Sequence, residues 1–386
     1  MKKKRIFALM LSMTMVMSLA ACGSSSQEES SADTSSSVAD AAASESTEAA
    51  DSSAEADATQ DFDGAELVVA TWGWAETNLK TLCEDFEKQY NCTIVVDPTS
   101  GNGDRINKLM AEKDDPTADI AMLSKSFSQT GNDEGLFEKI DTDVVTSLGD
   151  LYDIALDDNG YGPCYSLDRY GIMYNADALE EAGLPVPTSY EDLFDDQYAH
   201  MVALPDMTST AGPYLLVALA EDLGGSQEDV TPAMELMQEK KDNIDLWYTT
   251  TSDVVNAFTT GEVNIAVFMD IYMPSLTETG LNMVWTDAKE GSFSAPATVN
   301  VVKNCKNPEL AQLFVEYLIS ESTQNKIAEV MNEAPVNKNA TMDDSLKSYL
   351  AFGEESMNSL KEFDESYIAD SKEEWIDTFQ RTVNVQ

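Results

Sequence analysis

From Gly64 to the C-terminus, strand-like and helix-like segments alternate over about 320 residues, and this alternation constrains the fold more than any other feature. Residues 66–71 read as a buried strand. Leu79, Leu82, Cys83, Phe86 and Tyr90 then recur at i, i+3, i+4, i+7 and i+11, the spacing of one apolar helical face. Next come a β-branched run at 93–96, a helical pattern near 104–113 with Ile106, Leu109 and Met110 inward, and a strand at 118–123. An order β-α-β-α-β implies parallel strands with helices covering the sheet. A chain of this length exceeds what one core supports, so two lobes are expected.

A second set of elements follows. Thr188-x-x-Glu191 has the form of a capping box. Residues 201–204 are strand-like, and 212–223 are helical up to Gly224-Gly225. Thr231-Pro232 supplies a cap and a first-turn proline. Ser252 is expected to cap another helix, and 262–269 form a strong strand. Asn307-Pro308 opens a helix with Leu310, Leu313, Phe314, Tyr317 and Leu318 on one side. Residues 343–386 read as mostly helical, and no repeat of 20–50 residues is visible.

The N-terminus carries address information. Lys2, Lys3, Lys4 and Arg5 precede an apolar run, 6–19, then Ala20, Ala21 and Cys22. This is the layout of a secretory signal, too short for a spanning helix of roughly 20 residues. Leu19-Ala20-Ala21-Cys22 resembles the lipobox of bacterial lipoproteins, which implies cleavage after 1–21 and lipidation of Cys22. Residues 22–63 are then read as a lipidated stalk: 23–63 are almost all Ser, Ala, Thr, Asp and Glu, too polar to offset ordering entropy. Setting aside signal and stalk leaves 19 basic and 59 acidic residues, a charge of about −40. That disfavours nucleic acid and docking on anionic lipid. Cys83, Cys92, Cys164 and Cys305 show no C-x-x-C or zinc-like spacing. They are read as buried free thiols, although an extracellular setting permits disulfides.

In open α/β sheets ligands bind beyond the carboxyl ends of the strands, and polar or aromatic residues cluster at those points. Trp72, Gly73 and Trp74 follow the first strand, and Ser124, Lys125 and Ser126 the third. Asp206, Thr208, Ser209 and Thr210 follow residues 201–204, and Asp270 and Tyr272 follow 262–269. Each also has a structural reading: the tryptophans as core, the hydroxyls as helix caps, Asp270 as a turn residue. Their coincidence at strand ends carries the argument.

Further stretches bear a resemblance over nearly the whole body, from Leu67 to about Val383. They are Thr99-Ser100-Gly101-Asn102-Gly103; Ala111-Glu112-Lys113 with Pro116-Thr117-Ala118-Asp119-Ile120; and Tyr170-Gly171-Ile172-Met173-Tyr174-Asn175. Later ones are Gly183-Leu184-Pro185-Val186-Pro187-Thr188-Ser189-Tyr190 with Asp192-Leu193; Gly261-Glu262-Val263; and Ala334-Pro335-Val336-Asn337. In this order they resemble the family 1 extracellular solute-binding proteins of ABC importers, in the branch of ferric-iron, thiamine, phosphonate and polyamine binders. The resemblance implies a two-lobed, type II periplasmic-binding-protein-like α/β fold, with mostly parallel sheets and hinge crossings. Lobe one would comprise 65–164 and 294–334, and lobe two 165–293 and 335–386. It implies a monomer that holds a small solute in the cleft and hands it to an ABC permease, on the outer face of the cytoplasmic membrane. Trp72, Trp74, Ser124, Ser126, Tyr165, Asp206, Ser209, Thr210, Asp270 and Tyr272 are the expected ligand residues. Where iron binders of this kind carry adjacent tyrosines, this chain has Ile271 and Tyr272, so only one matches. Polyamine members use aromatic walls and carboxylates, which Trp72, Trp74, Asp206, Asp270 and Tyr272 can supply. Lys125 opposes a cation, and with Ser209 and Thr210 at a helix N-terminus it favours phosphate or carboxylate. A zwitterion reconciles the two.

A tethered extracellular hydrolase is the competing class. The single histidine, His200, lies beside a strand, and no H-E-x-x-H, G-x-S-x-G or G-x-x-x-x-G-K motif occurs. Gly101-Asn102-Gly103 reads as a turn, as does Asp157-Asp158-Asn159-Gly160, which lacks the remaining ligands of a calcium loop. An adhesion lipoprotein would need an exposed partner surface that nothing in the sequence marks. No catalytic residue, cofactor or metal is expected.

Overall fold

The computed structural model describes residues 60–98 and 101–384. The expected signal, Cys22 and most of the stalk lie outside them, as do Thr99 and Ser100. The last stalk residues already belong to the folded body. Phe62 N donates to Tyr90 O at 3.0 Å, and its ring meets Tyr90 edge-on.

Nine strands are described: β1 (Ala65–Thr71), β2 (Cys92–Pro98), β3 (Ile120–Ser124), β4 (Cys164–Asn175), β5 (Val202–Pro205), β6 (Ile244–Tyr248), β7 (Ile265–Met269), β8 (Met283–Thr286) and β9 (Phe293–Val301). The helices are α1 (Glu76–Leu82), α2 (Glu84–Tyr90), α3 (Asn102–Ala111), α4 (Lys125–Asp133), α5 (Ala176–Ala182), α6 (Gly212–Asp222) and α7 (Thr231–Lys240). They continue with α8 (Thr251–Thr260), α9 (Met273–Glu278), α10 (Pro308–Ile319), α11 (Glu321–Met331), α12 (Gly353–Asn358) and α13 (Glu365–Thr382). Spatial strand order is β2-β1-β3-β9-β4-β7-β5-β6, with β8 also on β4. β2-β1-β3 and β6-β5-β7 are parallel sets, one for each lobe. Two long antiparallel strands join them. β9 pairs β3 through Ala297–Val301 and β4 through its first half, while β4 goes on to pair β7 at Tyr170–Tyr174. A third crossing passes where Leu167 and Ala334 exchange backbone hydrogen bonds. The fold is therefore α/β and two-lobed, with three crossings. Beyond Ala334 the chain stays with lobe one for several residues: Tyr152 N donates to Val336 O, and Lys338 N to Asp150 O.

Several local expectations need correction. The single helix over 79–90 breaks at Cys83 into α1 and α2, and beside the break the Leu82 carbonyl accepts the Tyr317 hydroxyl at 2.8 Å. Gly101-Asn102-Gly103 is no turn; Gly101 caps α3, which begins at Asn102. The capping box sits one residue later than read: Ser189 N donates to Asp192 Oδ2 and Asp192 N to Ser189 Oγ. Thr231 and Ser252 lie inside their helices rather than capping them. Asp157 does form a turn, accepting from Asn159 N and Tyr161 N. The described residues 343–384 are mostly helical as expected, in α12, α13 and a short 3-10 turn at Leu346–Ser348.

Candidate functional site

A cavity of 540 Å³ lies between α4 of lobe one and a wall of lobe two, and a smaller one of 120 Å³ adjoins it within lobe one, closed from lobe two by Glu365. The wall is built by the loop after β5, the start of α6, and α13. α4 opens directly at the end of β3, which aims Lys125, Ser126 and Gln129 outward from the sheet. On the opposite side α6 begins where the loop after β5 folds back under it. Only glycine allows this, since a methyl at Gly212 would collide with the Asp206 carbonyl. Tyr214 then donates to Glu365 Oε2 at 2.6 Å, linking α6 to the first turn of α13. Burial raises the Glu365 carboxyl, with Tyr214 and Lys125 opposing that rise, and burial lowers the Lys372 ammonium. Lys125 Nζ donates to Ile154 O at 3.0 Å, and Lys372 Nζ to Ser209 O at 3.4 Å. Asp133 and Glu365 thus face Lys125 and Lys372 across one cleft, beside the Thr130, Thr208 and Thr210 side chains. Such a surface offers anchors for either sign of charge and suits a small polar molecule.

The residues expected from the sequence divide into three groups. Ser126 and Thr210 line the cleft. Asp206, Ser209 and Ser124 hold neighbouring backbone and side chains instead. Asp206 Oδ1 accepts from Thr208 N and Oγ1 at 2.8 and 2.7 Å, and its Oδ2 from Asn384 Nδ2 at 3.0 Å. Ser209 Oγ donates to Asp206 O and accepts from Gly212 N, so it closes the turn before α6. Ser124 Oγ accepts from Asn102 Nδ2 at 2.9 Å, tying α3 to the end of β3. Tyr272 stacks on Phe268 and donates to Thr251 Oγ1 at 3.0 Å. Trp72 and Trp74 stack on each other with centroids 6.1 Å apart, Trp72 also against the Arg105 guanidinium, and neither lines the two cavities. Tyr165 and Asp270 belong to the crossings, where both are buried.

Residues 81–354 match the family described as bacterial extracellular solute-binding protein. The chain belongs to this family. A spermidine/putrescine-binding periplasmic protein of Salmonella typhimurium is 24% identical over 272 residues, covering 67% of this chain and 75% of that protein. A Salmonella typhi periplasmic protein, provisionally named as a 2-aminoethylphosphonate binder, is 22% identical over 251 residues, covering 63% and 70%. A crystal structure of an ABC transporter protein from Clostridium perfringens superposes with a TM-score of 0.71 at 29% identity, covering 82% of this chain and all of that one.

As a solute-binding protein of ABC importers the chain holds its ligand and is not an enzyme. His200 accords with that: it sits exposed in a left-handed turn, its Nδ1 3.3 Å from Asp245 Oδ1. Among the described residues Cys83, Cys92, Cys164 and Cys305 are buried and form no disulfide. No helix among the described residues is long and apolar enough to cross a membrane.

The crossings of this solute-binding protein hold a second polar region. Asp168, Asp270 and Glu333 are all buried there with Arg169. Arg169 N donates to Asp270 Oδ1 at 3.1 Å, and Arg169 Nη1 to Asp287 Oδ1 at 2.8 Å. Burial pushes Asp270 and Glu333 up to about 7, against the pull of Arg169 on Asp270, and also raises Asp168 well above the usual carboxylate range, with help from the other two acids. Sequence reasoning missed Tyr214, Glu365, Lys372, Asp168 and Glu333. Tyr214 lies in an apolar helix and the next two in a helix far along the chain. The last two occupy crossing segments that carry no strand-end signal.

Proposed function

We propose that the chain is the lipid-anchored capture component of an ABC importer. It is tethered by Cys22 on the outer face of the cytoplasmic membrane and works as a monomer. Its lobes, about 65–164 with 294–334 and 165–293 with the C-terminal part of 335–386, close on a small polar solute and then dock on the cognate permease. The observation that carries this reading is the mixed-charge cleft, with Ser126 and Gln129 on one lobe facing Thr210, Tyr214, Glu365 and Lys372 on the other. A ligand drives closure only through contacts it makes with both lobes, by its differential affinity for the closed state. Relatives named for spermidine and putrescine, and one provisionally for 2-aminoethylphosphonate, support an amine or amino-acid-like solute. Trp72 and Trp74, stacked on each other outside the two cavities, form an aromatic edge at the end of β1.

A thermal-shift panel of polyamines, phosphonates, thiamine, ferric complexes and amino acids tests the reading. A true ligand at 100-fold its Kd adds about 2.7 kcal/mol, a rise of a few degrees in Tm, and is recovered unchanged. Conversion of any solute, or no shift with the whole panel, contradicts it. For the anchor, Cys22→Ser should move the protein from the membrane fraction to the medium.

A further inference from the structure

Lys372 carries the single positive charge among the residues that line the 540 Å³ cavity. Its side chain is half-buried, and burial holds its ammonium below the ordinary value. A nearby carboxylate would stabilise such a group, yet none pairs with Lys372 among the described residues. Instead its Nζ reaches from α13 to the turn before α6 and donates to Ser209 O at 3.4 Å, near the limit of hydrogen bonding. This neutral contact takes one of three N–H groups, and the other two have no partner among the described residues.

The acids around the cavity are committed elsewhere. Asp206 accepts from Thr208 N, the Thr208 hydroxyl and Asn384 Nδ2. Glu365 accepts from Tyr214 and feels Lys125; it lies two helical turns before Lys372, about 10 Å along the axis. Asp133 stands on α4 of the facing lobe and accepts from Gln129 Nε2 at 3.0 Å. Free donors, by contrast, surround the ammonium. The Thr210 hydroxyl, next along the chain from the carbonyl that Lys372 touches, has no partner among the described residues. Gln129 keeps a second N–H on the facing lobe.

We propose that Lys372 and Thr210 form the seat for an acidic group of the captured solute, a phosphonate, phosphate or carboxylate, with the Gln129 amide closing over it from lobe one. The proposal rests on the solute-binding reading and names its ligand class, a solute with an anionic end rather than a plain polyamine. Lysine supplies the charge and two donors, and Thr210 a third, which suits an oxygen-rich anion. The acid provides the counter-charge that the fold does not give Lys372. A plain diamine brings a second ammonium to the first and has no group for this seat.

Isothermal titration of the whole chain in detergent tests this. The probes are 2-aminoethylphosphonate, with propylamine as its acid-free partner, and 4-aminobutanoate, with putrescine as its acid-free partner. The expected result is binding of an acid-bearing probe and none of its partner, and the pair that responds tells phosphonate from carboxylate. Lys372→Met should weaken that probe roughly 10- to 100-fold, the worth of one charged hydrogen bond. Lys372→Arg should retain most of the affinity, and Thr210→Val should lose roughly fivefold. If another acid-bearing solute is the thermal-shift hit, the same variants are read with it. Because Lys372 has no carboxylate partner, Lys372→Met should leave the ligand-free Tm unchanged. A lower Tm with unchanged affinity would assign Lys372 to the Ser209 carbonyl and overturn the proposal, as would equal affinity for an acid-free partner. If Lys372→Met fails to fold, the selectivity of the wild type within each pair still decides. A panel hit by a polyamine or another acid-free solute, with no acid bound, overturns the proposal while leaving the solute-binding reading intact. Failure of every solute removes both.

Discussion

In the cleft wall, Glu365 and Lys372 lie at i and i+7 on α13, and the Tyr214 hydroxyl already serves the carboxylate. At the crossings, three acids share the neighbourhood of one guanidinium, itself divided between two carboxylates and a carbonyl. The first region is partly open and mixed in sign, with Asp133, Asp157 and Glu365 against Lys125 and Lys372, so it can bind without cost to the fold. The second is dry and has excess negative charge, so its protonation state is part of the stability of the fold. Polar groups near water are free to recognise, whereas polar groups in the core must be compensated before they can do anything else.

Arg169→Met should have the largest effect. It strips Asp270 of its buried partner and should cost about 3–5 kcal/mol in urea unfolding at pH 8. The loss should shrink at pH 6, where Asp270 can take up a proton; an equal loss at both values would mean that Asp270 is not the group left uncompensated. Next comes the pH dependence of the wild type. The folded values near 7 for Asp270 and Glu333 lie above their ordinary 3.8 and 4.5. The folded state therefore holds more protons between about pH 4 and 7, and this contribution to stability is present below that window and lost as pH rises through it. Tm should fall from pH 5 to pH 8, and Glu333→Gln should flatten the slope. A third variant bears on the cleft. Asp206→Ala frees Thr208 N, the Thr208 hydroxyl and Asn384, and should cost about 1–3 kcal/mol in the ligand-free protein. Unchanged stability with lost binding would return Asp206 to the ligand instead. The smallest effect is expected from Trp74→Ala. Trp74 is 49% exposed, so stability should change by less than about 0.5 kcal/mol, and a tenfold loss of affinity would extend the cleft to the aromatic edge.

The alternation of strands and helices, with β1, β2, β3, β5 and β7, was legible because it follows from local periodicity, whereas β6 at Ile244–Tyr248 was not read. The break at Cys83 was not legible, since no local signal marks it and the Tyr317 hydroxyl that meets the Leu82 carbonyl there comes from 235 residues beyond. The capping box slipped by one residue because Thr188-Ser189 and Glu191-Asp192 offer two chemically similar pairings. In the site, Ser126 and Thr210 were readable from the strand-end rule, and Thr208 stood beside them. Asp206 and Ser209 obeyed the same rule, yet their short side chains satisfy local backbone donors and acceptors before any ligand can. Tyr214 and Glu365 meet across 151 residues, a contact that no spacing rule predicts. Asp270 was marked by the strand-end rule, but Asp168 and Glu333 lay within strand and loop patterns that read as ordinary hydrophobic continuity.

The account depends on two hinged lobes closing around an unmodified solute. Small-angle X-ray scattering of the protein, with and without the solute that gives the largest thermal shift, tests this most directly. A smaller radius of gyration on adding the solute, restored on its removal by dialysis, is the predicted result. Identical scattering curves with the solute demonstrably bound would contradict closure as the means of capture.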